Sequence, residues 1–235
     1  MIKFPPSKKV KFIEEFFLKK KLKNLITQSN RPNLKTNQLE LQHAFKPELQ
    51  DLYRLYQFVI LNKRTTILEF GSGWSTLIFA IALNQLKKKF GNKITDLRRN
   101  NPFQLFVLEN DKKFLKITKN RVNKFFKSKY DREDVNFCYS SINMTNYNGN
   151  IATEYSKLPL CNPDFIYLDG PDQFNIQGHV NNISTRHKDM MPMVCDILKF
   201  EYFLTPGTII VVDGRAANAK FLRDNFKRKW IYKND

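Results

Sequence analysis

A chain of 235 residues fits one ordinary domain with a short appendage. Its composition, 42% hydrophobic with 21 Phe and only eight Gly and ten Pro, excludes disorder throughout as well as collagen-like and low-complexity classes. The net charge of +18 raises nucleic acid or an anionic surface as partner, but 29 of the 40 basic residues are Lys, whereas specific phosphate and base readers lean on Arg. Cys138, Cys161 and Cys195 are odd in number and lack CxxC spacing, so neither a disulfide framework nor a zinc site is read from them, and a reducing, cytoplasmic compartment is expected. The longest apolar run, Leu77 to Leu83, is far short of a membrane span, and Glu14 and Glu15 interrupt what could have been a secretory signal.

Residues 8–27 place Val10, Ile13, Phe17, Leu18, Leu22, Leu25 and Ile26 at helical spacing among many lysines, predicting one helix with a solvated basic face. Residues 28–46, polar and bounded by prolines, read as a connector, so residues 1–45 form an N-terminal helical extension and residues 46–235 the main domain. A helix is expected over 48–62. From Thr65 on, short apolar runs alternate with amphipathic stretches: strands over 66–70, 104–108, 135–139, 164–168 and 208–212, helices over 75–88, 112–127, 190–203 and 216–228. This alternation predicts an α/β fold, a doubly wound, mostly parallel Rossmann-like sheet, with ligands bound beyond the carboxyl ends of the strands.

The first strand closes in LEFGSGWST, Leu68 to Thr76. Gly71 and Gly73, with Ser72 between them, permit a tight turn and a close backbone approach, and Ser75 and Thr76 stand where they could cap the next helix. Glu69 suits a ligand with an ammonium group and would repel a pyrophosphate. The second strand closes in VLEND, where Glu109, or Asp111, could accept hydrogen bonds from both hydroxyls of a ribose. Together these features point to an amino-acid nucleoside.

The sequence LEFGSGWST resembles the first motif of class I S-adenosylmethionine-dependent methyltransferases, with Ser-Thr in place of the usual third glycine, and the resemblance extends through VLEND, DFIYLDGP and PGTIIVVDGR. It implies S-adenosyl-L-methionine as cofactor: Glu69 near the methionine ammonium, the backbone of Gly71, Ser72 and Gly73 against the cofactor, Ser75 or Thr76 near its carboxylate, and Glu109 on the ribose. Where many members carry an acidic adenine ligand this chain has Ser140, Ser141 and Ile142, so Ser141 is the nearest candidate. Asp169, at the tip of the fourth strand, would lie beside the reactive methyl as orienting group or general base. Asp213 and Arg215 close the fifth strand as substrate-binding candidates, Arg215 for an anionic acceptor. Asp169, Asp213 and Asn218 only partly match the magnesium cluster of metal-dependent O-methyltransferases, so no metal is assigned. In the polar segment 172–189, His187 or His179 could act as base.

The signatures of base-amino and cytosine-C5 methylation in nucleic acids are missing. The expected activity is therefore methyl transfer to oxygen of a small molecule or glycan. An RNA methyltransferase using the basic N-terminal segment, and a methyltransferase-like module without catalysis, are the alternatives; Trp74, beside Gly73, is the residue most able to crowd the cofactor pocket. No transmembrane segment is expected.

Overall fold

The computed structural model describes residues 2–32, 46–96, 99–187 and 189–234. It divides into two compact units, Met1–Lys63 and Arg64–Asp235.

The first unit holds α1 (Val10–Lys19), α2 (Lys23–Ser29) and α3 (Leu49–Leu61). The single helix expected over 8–27 is broken. Lys21 adopts a left-handed conformation with φ 62°, and the Leu22 amide returns to the Phe17 carbonyl at 2.9 Å. This C-terminal cap turns the chain so that Leu22 and Leu25 join Ile13 and Phe17 in the interior. The expected connector begins too early, because Gln28 and Ser29 belong to α2; residues 33–45 lie outside the described residues. The boundary falls at 63/64 instead of 45/46 because α3 packs on α1, with the Phe16 ring 5.1 Å from Tyr53 and 5.0 Å from Tyr56.

The second unit contains β1 (Thr66–Phe70), α4 (Trp74–Phe90), β2 (Gln104–Glu109), α5 (Lys112–Phe125), α6 (Lys129–Arg132), β3 (Val135–Tyr139), β4 (Ile142–Tyr147), β5 (Asn150–Tyr155), β6 (Phe165–Leu168), β7 (Ile176–Gln177), α7 (Asp196–Lys199), β8 (Ile209–Val212) and α8 (Ala216–Asn225). Five strands form one sheet in the order β3-β2-β1-β6-β8, every neighbour parallel. This is the expected doubly wound α/β arrangement, with the order reversing between β1 and β6. Strand alternation sorts the side chains. Leu68, Phe70, Phe106, Leu108, Ile166 and Leu168 enter one core layer. On the other face α4 is buried from Ser75 to Leu83, with Phe79 edge-on to Phe165 and Tyr167 at 5.6 and 5.4 Å.

Three further strands stand where none was expected, and two expected helices are corrected. β4 and β5 form an antiparallel hairpin closed by Asn148 and Gly149, both at positive φ, and β7 adds to β4 in parallel. The helix expected over 190–203 is reduced to α7 and a 3-10 turn, Glu201–Phe203. Residues 193–195 pair with β5 instead: Thr153 donates to the Met193 carbonyl at 2.8 Å, and Cys195 donates to the Thr153 carbonyl at 3.0 Å. The last helix stops at Asn225 because the buried Glu201 carboxylate takes the Lys227 and Arg228 amides at 2.9 and 2.8 Å and the Trp230 indole at 2.8 Å.

Candidate functional site

The carboxyl ends of β1 and β6 meet without side chains between them. The Asp169 amide donates to the Phe70 carbonyl at 3.0 Å, and the Gly71 amide to the Leu108 carbonyl at 2.8 Å. A Cβ on Gly170 would lie 2.6 Å from the Gly71 nitrogen, and one on Gly71, which has φ +97°, would lie 3.0 Å from the Gly170 nitrogen. Glycine is required here so that two strand-end turns can touch. Gly73 is extended, and a Cβ on it would meet only the Ser75 hydroxyl at 3.8 Å, so packing within the chain leaves its surface open for a ligand.

Glu69 is buried on the α4 face, one residue before that junction. Its Oε1 accepts from the Ser75 hydroxyl at 2.5 Å, while Oε2 is sealed from water and has no hydrogen-bond partner. Burial pushes its carboxyl up to about 8, against the Ser75 and Thr76 hydroxyls and with Asp169 and Glu109 adding to the rise. Ser75 and Thr76 thus face inward; the Thr76 hydroxyl also accepts the Gly73 amide at 3.1 Å. Ser72 remains half-open.

At the end of β2, Glu109 Oε1 accepts the Asn110 and Asp111 amides at 2.8 and 2.9 Å, and Oε2 accepts the Ser72 hydroxyl at 2.7 Å. Burial raises this carboxyl to about 6. The Ser72 hydroxyl stands where a ligand hydroxyl would bond. Asp111 caps α5 by accepting from the Lys113 and Phe114 amides at 2.6 and 3.0 Å, which leaves Glu109 as the better placed of the two.

Asp169 stands exposed just past the end of β6, in the company of Arg215, Asp213 and Glu109. That crowding pushes its carboxyl up to about 7; Arg215 opposes the rise, and Asp213 and Glu109 reinforce it. Asp213 is tied down by the Tyr167 hydroxyl at 2.6 Å. Arg215 Nη2 clamps the turn by donating to the Asp169 and Pro171 carbonyls at 2.8 and 3.1 Å, while its Nε and Nη1 are buried without partners. Asn218 is not a ligand candidate. It is fully buried, accepting the Val194 amide at 3.2 Å and donating to the Val194 carbonyl. Among the described residues no group of three His, Cys, Asp or Glu side chains is placed to hold a metal ion.

Beyond Glu109 opens a cavity of about 580 Å³, lined by Asn110, Tyr139, Phe174, Asn175, Gln177 and Arg186 among others. Ser141 does not line it; its hydroxyl is paired with Ser156 at 2.7 Å. His187 is exposed, its Nδ1 accepting the Asp189 amide at 3.2 Å, and no contact joins it to Asp169. His179 is likewise exposed. Segment 172–189 is anchored as well, through β7 on β4 and Arg186 Nε on the Ile176 carbonyl at 2.6 Å. Trp74 is stacked by Arg121, whose guanidinium carbon lies 4.3 Å from the ring, so it packs toward α5.

The site also includes residues that sequence reasoning passed over. Tyr155 is buried with an unpartnered hydroxyl and packs its ring 5.5 Å from Phe70, beside the glycine junction. Tyr167 could have been found, because it stands two residues before Asp169 in a strand whose alternate residues share a face. Tyr139 closes β3 and was legible in the same way; Phe174 and Asn175 carry no local signal. The chain matches no protein-family model and no curated protein.

Proposed function

We propose that the protein is an S-adenosylmethionine-dependent methyltransferase acting on oxygen of a small molecule or glycan. One observation carries the reading: a fully buried glutamate at the switch point of the sheet with one carboxylate oxygen unpartnered. Such an oxygen is costly until a donor reaches it, and a ligand ammonium, directly or through one water, supplies that donor together with compensating charge. A dinucleotide pyrophosphate would add charge of the wrong sign. Glu69, Glu109, Asp169 and Asp213 gather four carboxyls at the strand ends, a setting that favours a cation.

When bound, the cofactor supplies a methyl group already activated on sulfonium. Glu69 would hold its ammonium, the Ser72–Gly73 backbone would lie along it, and Glu109 would take the ribose hydroxyls in place of the Ser72 hydroxyl. The cavity beyond Glu109 is of ligand size and offers the rings of Tyr139 and Phe174 and the amides of Asn110 and Asn175 to a purine. Asp169, poised near neutrality, is suited to take the proton of an acceptor hydroxyl, and Arg215 fixes the turn that carries it. His187 has no contact that supports a role as base.

Calorimetric titration with S-adenosylhomocysteine, with NAD as control, tests the reading. Micromolar binding of the first alone is expected. Binding of NAD, or of neither, overturns it.

A further inference from the structure

The start of the chain carries a surplus of positive charge. Residues 1–23 hold eight lysines, two glutamates and no arginine. Lys8, Lys9 and Lys11 are exposed, and no ion pair ties them to a carboxylate among the described residues. The same stretch leaves large apolar side chains in water: Phe4 is 47% exposed, Phe12 46% and Val10 63%. Neither phenylalanine hangs loose. Phe4 sets its ring edge 5.9 Å from Phe58 and Phe12 sets its own 6.1 Å from Tyr53, so α3 backs both while their outer halves stay wet. The Lys8 ammonium lies 5.2 Å from the Phe12 ring centre.

Unneutralised cations and wet aromatic rings on one short segment call for a partner that answers both. Single-stranded nucleic acid offers phosphates and bases that stack on ring faces, but both rings here are packed against α3, and nucleic-acid readers lean on Arg, of which the first in this chain is Arg31. An anionic bilayer offers a sheet of negative charge with hydrocarbon just beneath. Lysine stems can lie along that boundary while their ammonium groups stay among the phosphates. Among the described residues no helix is long and apolar enough to cross a membrane, so the association is with the surface.

We propose that Phe4 and Phe12, with Lys8, Lys9 and Lys11 around them, form a docking face for an anionic phospholipid surface. The inference stands apart from the methyl-transfer reading and is tested without any cofactor.

The full chain is sedimented with sucrose-loaded vesicles of phosphatidylcholine alone and of phosphatidylcholine with phosphatidylglycerol. Binding to the anionic vesicles alone, weakening as salt is raised, is expected. Lys8→Glu/Lys9→Glu/Lys11→Glu should lower partitioning more than about a hundredfold, at about fivefold for each lysine near the surface. Phe4→Ser/Phe12→Ser keeps the charge and should lower it by about tenfold or more. Lys116→Glu/Lys119→Glu/Lys124→Glu, the same charge change on α5, should leave binding within about threefold of the parent. Circular dichroism confirms that each variant is folded. Failure to bind anionic vesicles overturns the proposal. So does an equal loss from the α5 variant, indifference to the phenylalanine changes, or tighter binding to single-stranded RNA than to vesicles at matched salt.

Discussion

If Glu69 receives the ammonium of the cofactor as a carboxylate, binding must be linked to its proton. Burial holds the ligand-free carboxyl at about 8. At pH 6 only about one molecule in a hundred then carries it ionised, and at pH 8 about half do, so affinity for S-adenosylhomocysteine should rise about 50-fold across that interval. At pH 7 about 0.9 proton should leave for each ligand bound. Titrations in buffers of high and low ionisation enthalpy read that number directly from the difference in apparent heat. The stability of the ligand-free protein gives a second, opposite readout. The folded carboxyl lies above its ordinary 4.5. Between about pH 4.5 and 8 the unfolded chain therefore ionises while the folded one does not, and stability falls as pH rises. Glu69→Gln should remove that fall, raising Tm at neutral pH, while weakening ligand binding and flattening its pH dependence. A pH-independent affinity with no proton released would refute the role given to Glu69.

Glu109→Ala should weaken S-adenosylhomocysteine binding by at least about tenfold in calorimetry, because two charge-assisted hydrogen bonds to the ribose are lost. Asp169→Asn should lower turnover far more than cofactor affinity, and the rate-against-pH profile should lose an inflection near 7, the value to which crowding lifts this carboxyl. Gly170→Ala should destabilise the protein by about 3 kcal/mol or more in denaturant unfolding, since its Cβ would lie 2.6 Å from the Gly71 nitrogen and the neighbour is backbone that cannot rotate away. Arg215→Lys should leave the fold intact but lower turnover about tenfold or more, because an ammonium does not reproduce the planar clamp on the Asp169 and Pro171 carbonyls.

The parallel sheet was legible because its strands are short, continuous apolar runs and each ends in a polar residue that has no reason to be there unless it is used. Glu69, Glu109, Asp169 and Asp213 all stood out for that reason. The hairpin of β4 and β5 is also written in the sequence, in an Asn-Gly pair between two runs, but polar residues at 143, 145, 146 and 154 obscure the alternation, and no element was expected there. The helix over 190–203 fails for one local and one non-local reason: Pro192 withholds a donor, and the edge of β5 and the Asn218 side chain capture the backbone that would have coiled. Asn218 illustrates the limit most clearly. Its position suggested a ligand, yet its partner is the Val194 backbone, 24 residues away in the chain, and no local pattern announces such a pairing. Ser141 and His187 were chosen for chemical type at a suitable strand end or loop, and only their neighbours, Ser156 and Asp189, show that they are otherwise engaged.

The seam between Gly71 and Gly170 has a consequence for how such a site can diversify. Two connections that lean on each other through bare backbone must change together or not at all, so this part of the cleft is fixed by geometry, with little latitude for drift. The walls are under no such constraint. Tyr139 comes from the end of β3, and Phe174, Asn175 and Arg186 from the segment that follows β6, so none of them lies in the seam itself. A lineage built on this frame can therefore change what the pocket receives by rewriting its walls while the seam stays as it is.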